Sequence, residues 1–336
     1  MKVLVMGGSR FVGLHSVLEL EKHGHQVTVF NRGQTPLPVE FPPSVRRLYG
    51  DRHDLEGMTE LFRNEDFDAV VDVSAYVLAD VDSMVKIFKG RIGHYVFMCT
   101  PAIYDLPQRL PLREDNKLKG PEWPADDYGR NKAICEAYMT QQFRENGFPW
   151  SSIRLPIIMG PYNTAKQREQ LMFHRLLQGR PILIPGDGST VLHSNYIPDM
   201  AVGMRKMLLN PRTFGEPYNA AMQEYWSDES WVDAVAEVVG VTPNKVFMPY
   251  DVTTAAYQGD WGYQPIQRTQ AGRIPWYRSC VFDTQKYVEH VGHRQEHTLK
   301  GALAETYEWF CRAGLDKTFE WDFSKEDATL AQLRGK

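Results

Sequence analysis

The chain reads as an α/β protein: a doubly wound parallel sheet, with a smaller α/β domain towards the C-terminus. Three features predict this. An apolar run near the start breaks at a glycine pair, strands and helices alternate through the first half, and the pattern changes beyond Pro161.

The opening segment is the most informative. Val3-Leu4-Val5-Met6 is a short apolar run with the length of a buried strand. Gly7, Gly8, Ser9, Arg10, Phe11, Val12 and Gly13 follow, and Val17, Leu18 and Leu20 then carry helical spacing. Strand, glycine turn and helix in that order form a Rossmann-type dinucleotide loop. The glycines let backbone approach a pyrophosphate, and the helix N-terminus offers free N–H groups to it. A second strand, Gln26-Val27-Thr28-Val29-Phe30, follows at βαβ distance. Arg10 stands where such loops carry their second spaced glycine. Asn31-Arg32-Gly33 stands where an NAD-binding chain places a carboxylate against the ribose 2′-hydroxyl. Without that carboxylate and with two guanidinium groups nearby, the reading favours NADP(H), since Arg grips phosphate bidentately; NAD(H) is the alternative.

The next elements follow in order. A proline-rich loop leads to Val45-Arg46-Arg47-Leu48-Tyr49 and then Gly50-Asp51-Arg52. Asp68 to Val73 is the next strand, ending at Ser74-Ala75-Tyr76, and His94 to Thr100 is another. In a parallel sheet ligands bind at the strands' C-terminal ends, so the loops after Asp51, Ser74 and Thr100 face the cofactor. A helix starting near Ala125 places Tyr128 and Lys132 four residues apart, on one face. A phenol of pKa about 10 is a poor acid–base group at neutral pH. A neighbouring ammonium and a positive nicotinamide would lower that pKa, and the Thr100 hydroxyl would hold a substrate oxygen against the phenol.

Beyond Pro161 a helical stretch runs through Met172 and Leu176 to Pro181-Ile182-Leu183-Ile184-Pro185-Gly186-Asp187-Gly188-Ser189. Tyr196-Ile197-Pro198-Asp199-Met200 opens another helix, and Tyr218 to Ala221 reads as a short strand. Thr253 to Tyr277, rich in Trp, Tyr, Gly, Gln and Arg, reads as an irregular substrate-side loop, and His297 to Trp309 as a terminal amphipathic helix. The boundaries implied are a dinucleotide-binding domain over 1–162, completed by segments near 195–222, and a mainly substrate-binding domain over 163–336.

The totals bound the function. A chain of 336 residues, 43% hydrophobic and 24% charged, has the composition of a globular protein with a sizeable core. A net charge of −4 argues against nucleic acid as the principal partner. Cys99, Cys135, Cys280 and Cys311 are scattered without a CxxC pair, so no disulfide framework or metal site is expected. The start reads as a strand and no apolar stretch could span a bilayer, so a cytoplasmic enzyme without membrane partners is the expectation.

The ordered set Gly7 to Gly13, Gly50-Asp51-Arg52, Thr100 to Tyr104, Tyr128 to Lys132, Arg154 to Pro161, Gly186 to Ser189, Tyr196 to Asp199 and Tyr218-Asn219 resembles the extended short-chain dehydrogenase/reductases. That is the NAD(P)-dependent epimerase/dehydratase group, which works largely on nucleotide sugars. The resemblance implies that Tyr128 is the acid–base, Lys132 its partner on the nicotinamide ribose, and Thr100 the substrate-orienting hydroxyl. It implies that Asp51 accepts from the adenine amino group with Arg52 beside it, that Ser74 and Ala75 line the dinucleotide, and that Pro156 and Ile158 contact the nicotinamide amide. It also implies a homodimer and a sugar-type small-molecule substrate.

Three departures narrow it. Pro101 and Ala102 replace the Asp-Glu pair of the dehydratases, which disfavours dehydration. Leu192 and His193 stand in the region of a diphosphate-binding Arg, which weakens the case for a nucleotide handle. Arg10 and Asn31-Arg32-Gly33 match an atypical branch that includes the chloroplast stem-loop RNA-binding proteins. The expected activity is hydride transfer between NADP(H) and a carbinol or keto carbon of a sugar, with net redox favoured. Epimerisation through a transient ketone is the alternative, and a non-catalytic RNA-binding or regulatory protein a second one.

Overall fold

The structure, a computed structural model, describes residues 1–258 and 278–334. Its first six strands are β1 (Lys2–Met6), β2 (Gln26–Asn31), β3 (Arg46–Tyr49), β4 (Ala69–Asp72), β5 (His94–Cys99) and β6 (Trp150–Arg154). Between them run α1 (Phe11–Lys22), α2 (Leu55–Leu61), α3 (Leu78–Phe88) and α4 (Tyr128–Asn146). The chain continues through β7 (Ile157–Met159), β8 (Ile182–Pro185), β9 (Val191–Tyr196), β10 (Glu216–Asn219), β11 (Tyr225–Ser227) and β12 (Lys245–Met248).

Two compact units emerge. The first comprises Met1–Pro156, Ile197–Ala221 and Phe282–Gln295; the second holds Ile157–Tyr196, Met222–Val281 and Glu296–Lys336. The first is built on a seven-stranded sheet in the order β10-β6-β5-β4-β1-β2-β3, with every pair parallel. Val3, Leu4, Val5 and Met6 are fully buried, as are Val70 and Val71, which is what a parallel sheet covered on both faces requires. The order reverses direction at β1: β2 and β3 lie on one side, β4, β5 and β6 on the other. Such a switch point opens a crevice at the strands' C-terminal ends, where the glycine turn, the Ser74-Ala75-Tyr76 segment and Thr100 emerge.

The helix carrying Tyr128 is bounded by clear signals. Asp127 caps it by accepting from the Arg130 N–H at 2.7 Å, and Gly147 ends it in the left-handed region at φ +66. The short strand read at Tyr218 begins two residues earlier, at Glu216.

The second unit has a three-stranded sheet ordered β11-β9-β7 and a two-stranded pair of β12 and β8. Here the expectation of an irregular loop from Thr253 is corrected: Tyr250–Gln258 is helical. Val252 packs into a cluster with Leu183, Met248 and Leu330, and the Thr253 N–H bonds the Pro249 carbonyl at 2.9 Å, so tertiary burial overrides the irregular composition. Trp261, Tyr263, Arg268, Arg273 and Trp276 lie outside the described residues. The amphipathic helix expected from His297 spans Leu299–Arg312 and is not terminal, since Ser324–Arg334 forms another. Among the described residues no helix is long and apolar enough to cross a membrane.

Candidate active site

The glycine turn is shaped by contacts that a side chain would break. Gly7 sits at φ +113 with Val73 Cγ2 2.5 Å from where its Cβ would lie, and an added Cβ on Gly13 would stand 2.7 Å from the Gly8 nitrogen. Arg10, by contrast, is extended at φ −131 and ψ 150, so a side chain is tolerated there and the departure from glycine carries no strain. Phe11 opens α1 and is buried, while Val12 is half-buried. Asn31 donates to the Ser9 hydroxyl at 2.9 Å and accepts from the Gly33 N–H at 2.7 Å, which ties the turn after β2 to the glycine turn. Arg10 and Arg32 are exposed, and neither forms an ion pair among the described residues. This turn, with glycine wherever a Cβ would clash and the N-terminus of α1 beside it, fits a dinucleotide pyrophosphate.

The neighbouring loops divide their tasks. Asp51 is exposed, its carboxylate accepting from the His53 N–H at 2.9 Å. Arg52, beside it, is bonded to the neighbouring segments. Its Nη1 donates to Asp72 Oδ1 at 3.0 Å and the Ser74 hydroxyl at 2.7 Å, and its Nη2 to Asp72 Oδ2 at 3.1 Å and the Asp80 carbonyl at 3.0 Å. Tyr95 adds a hydrogen bond to Asp72 at 2.8 Å. Burial pushes the Asp72 carboxyl up, but the guanidinium and these donors outweigh it and hold it below the usual carboxylate value. The guanidinium thus ties the ends of these loops together.

Thr100, Tyr128 and Lys132 come together at the end of β5. Thr100 is buried and accepts from the Ala102 N–H at 3.2 Å, starting a single tight turn over Pro101–Ile103. The start of α4 docks on that turn through Gly129, where an added Cβ would lie 1.9 Å from the Ala102 carbonyl oxygen. Tyr128 therefore stands beside Thr100 by direct backbone contact. Although 43% of Tyr128 is exposed, burial of its hydroxyl end pushes the phenol's pKa up, with Cys99 and Tyr76 adding to this and a hydrogen bond with Thr100 opposing it.

Lys132 is not among the main influences on that pKa in the structure. Lys132 is 2% exposed and donates to the Ala75 carbonyl at 2.6 Å and the Met98 carbonyl at 2.7 Å. Its ammonium lies 5.7 Å from the centre of the Tyr128 ring and is directed to those carbonyls. Burial lowers its own pKa. Ser74 and Ala75 thus act here through Arg52 and Lys132 respectively. Pro156 closes the first unit as a buried residue. Ile158 lies in β7 of the second, its carbonyl accepting from Arg168 at 2.8 Å.

Some groups escaped the sequence reading. Glu136, four residues past Lys132 on the same helical face, is buried and bound by the Ser152 hydroxyl at 2.6 Å and Arg154 Nη2 at 2.6 Å. Arg154 also reaches the Tyr104 hydroxyl at 2.8 Å, and Tyr104 donates to Asn219 at 2.7 Å. The helical spacing Tyr128, Lys132, Glu136 was the available signal. Lys119 pairs with the helix cap Asp127 at 3.2 Å, a long-range pairing that no local spacing announces. In the second unit His193 is buried, its Nε2–H donating to the Met222 carbonyl at 2.6 Å; burial brings its pKa down to about 4. Among the described residues no group of His, Cys, Asp and Glu could hold a metal ion.

The switch-point sheet, the glycine cradle and the tyrosine–lysine helix define an extended short-chain dehydrogenase/reductase. The chain belongs to the NAD dependent epimerase/dehydratase family, whose model matches residues 3–221, and is thereby an enzyme of a nicotinamide-dependent class. It is 27% identical to the chloroplast stem-loop binding protein of 41 kDa b of Arabidopsis thaliana, over 98% of this chain and 84% of that protein. It is 29% identical to the UDP-glucose 4-epimerase of Lactobacillus helveticus over 46% of this chain, about half that enzyme's length (51%). The fold is similar to the UDP-glucose 4-epimerase of Thermotoga maritima solved with UDP-glucose, at a TM-score of 0.75 and 18% identity, covering 93% of this chain and 99% of that one.

Proposed function

We propose that this protein moves hydride between a nicotinamide dinucleotide and a carbinol or keto carbon of a sugar-type substrate, with Tyr128 as the acid–base. The single observation that supports this most is the docking of Gly129 on the Ala102 carbonyl, which brings the Tyr128 phenol beside the Thr100 hydroxyl. When bound, the nicotinamide supplies the hydride acceptor or donor. The protein's own residues handle the proton. Thr100 holds the substrate oxygen, and Tyr128 takes or returns the proton at its phenolic oxygen. Lys132 has three N–H donors, two of which go to carbonyls, leaving one for a ligand hydroxyl.

Within this reading NADP(H) is preferred over NAD(H). Its support is the amide of Asn31, turned to Ser9 and Gly33 where a carboxylate would repel a phosphate, and two exposed guanidinium groups, Arg10 and Arg32. Net redox is the first form of the reaction. Epimerisation is the second, favoured by the epimerase relatives.

The test is to identify the dinucleotide that copurifies and then add UDP-glucose and free hexoses while following absorbance of the reduced nicotinamide. A lasting change indicates net redox, and product without lasting change indicates epimerisation. Tyr128→Phe is expected to lower turnover about a thousandfold while leaving dinucleotide affinity within twofold. Turnover within a few-fold of wild type would overturn the acid–base role; RNA binding with a steep salt dependence in that active variant would favour the stem-loop-binding relative's kind of function.

A further inference from the structure

Tyr76 is the aromatic side chain in this crevice that neither the fold nor the proposed chemistry uses. It follows β4 directly and is 54% exposed, so its ring contributes little to the core. Its hydroxyl has no hydrogen-bond partner among the described residues. Its backbone is nevertheless held firmly: Asp80 Oδ2 accepts from the Tyr76 N–H at 2.7 Å and from the Val77 N–H at 3.1 Å, and Asp80 is itself paired with Arg52 at 3.2 Å. The ring centre lies 6.2 Å from that of Tyr128 with the planes at 46°, and the Lys132 ammonium is 5.0 Å from it. Val77 and Leu78, next in the chain, are 39% and 43% exposed.

A rigid base that presents an exposed aromatic face beside an acid–base group is a preorganised recognition surface. We propose that Tyr76 is a substrate-binding residue whose exposed face packs against the C–H face of a saccharide ring, and so selects six-membered sugar rings for the chemistry at Tyr128. The C–H face of a pyranose carries slight positive charge and suits the negative face of an exposed phenol; the test below separates this from a contact with the pyridine ring of the cofactor. This inference rests on the reading of Tyr128 as the acid–base.

The experiment reads binding rather than turnover. Protein saturated with NADPH is mixed with UDP-glucose or methyl β-glucopyranoside, and saturation transfer to the sugar-ring protons is followed by NMR. NADPH affinity is measured separately by fluorescence without sugar. Wild type and Tyr76→Phe are expected to transfer saturation chiefly to the protons of one pyranose face, with affinities within twofold of each other. Tyr76→Ala is expected to weaken sugar binding at least fivefold while NADPH affinity stays within twofold. Unchanged sugar binding in Tyr76→Ala would overturn the proposal. So would a loss confined to NADPH, which would make Tyr76 a pyridine contact, or the absence of transfer to any sugar-ring proton in the wild type. Failure of the acid–base reading looks different, because Tyr128→Phe would then keep turning over whatever Tyr76→Ala does to binding.

Discussion

Arg52 and Lys132 are both cations taken out of water in the first unit, and they are held in opposite ways. Arg52 has carboxylates on two sides, Asp72 at 3.0 Å and Asp80 at 3.2 Å, and its pKa is pushed further up because their attraction outweighs its burial. Lys132 makes no ion pair among the described residues; two neutral carbonyls and the rings of Phe97, Tyr76 and Tyr128 surround its ammonium, and burial draws its pKa down. The difference teaches how to separate architecture from chemistry among buried charges. A cation in direct contact with carboxylates is a tie between strands and loops, whereas one in contact with carbonyls and rings keeps more of its charge for whatever enters the crevice.

The most severe test of this contrast is stability. Arg52→Met should destabilise the fold by about 3–5 kcal/mol, because Asp72 is left as an uncompensated buried charge. Lys132→Met removes a donor from two carbonyls and should lose no more than about 1–3 kcal/mol, while turnover collapses. Chemical denaturation of both variants checks the order, and a reversal would break the comparison.

A third cation sharpens it. Arg32 is exposed and makes no ion pair among the described residues, so it should matter chiefly to a ligand. Arg32→Asp is expected to leave stability unchanged and to weaken NADP(H) about tenfold more than NAD(H), a discrimination of about 1.4 kcal/mol. Equal losses in a fluorescence titration would remove it from the cofactor's 2′ position.

A last effect, confined to acid pH, concerns a cation that is switched off. His193 occupies the region where the family resemblance places an arginine, yet it is buried and neutral, its pKa drawn from 6.5 to about 4. In that window the unfolded chain binds more protons than the folded one, so His193 contributes full stability above pH 6.5 and loses it as the pH falls towards 4. His94, lowered to about 3 by burial, acts in the same direction. His193→Gln should flatten the acid side of the stability profile without abolishing it; an unchanged slope would mean that the imidazole is charged in the folded protein.

Much of this was legible in residue order. The apolar run of β1, the glycines that follow and the second strand at the right interval describe a βαβ unit, and Tyr128 and Lys132 share a helical face because of their spacing. What could not be read was the partner of each polar group. The position of Arg52 after Asp51 does not announce Asp72 and Asp80, which only folding brings to it. The spacing of Lys132 from Tyr128 does not announce the Ala75 and Met98 carbonyls that it reaches. The helix over Tyr250–Gln258 was hidden because its composition is irregular and its stability comes from packing on Leu183 and Leu330.

By itself, then, the sequence determined the alternation of strands and helices, the glycine turn and the placing of Tyr128 and Lys132 on one helical face, since all three are set by neighbours within a few residues. Tertiary structure alone decided which charges are neutralised, which aromatic ring stands exposed at the crevice, and how high the phenol's pKa lies. Those depend on desolvation and on groups dozens of residues apart, whose proximity no local spacing encodes.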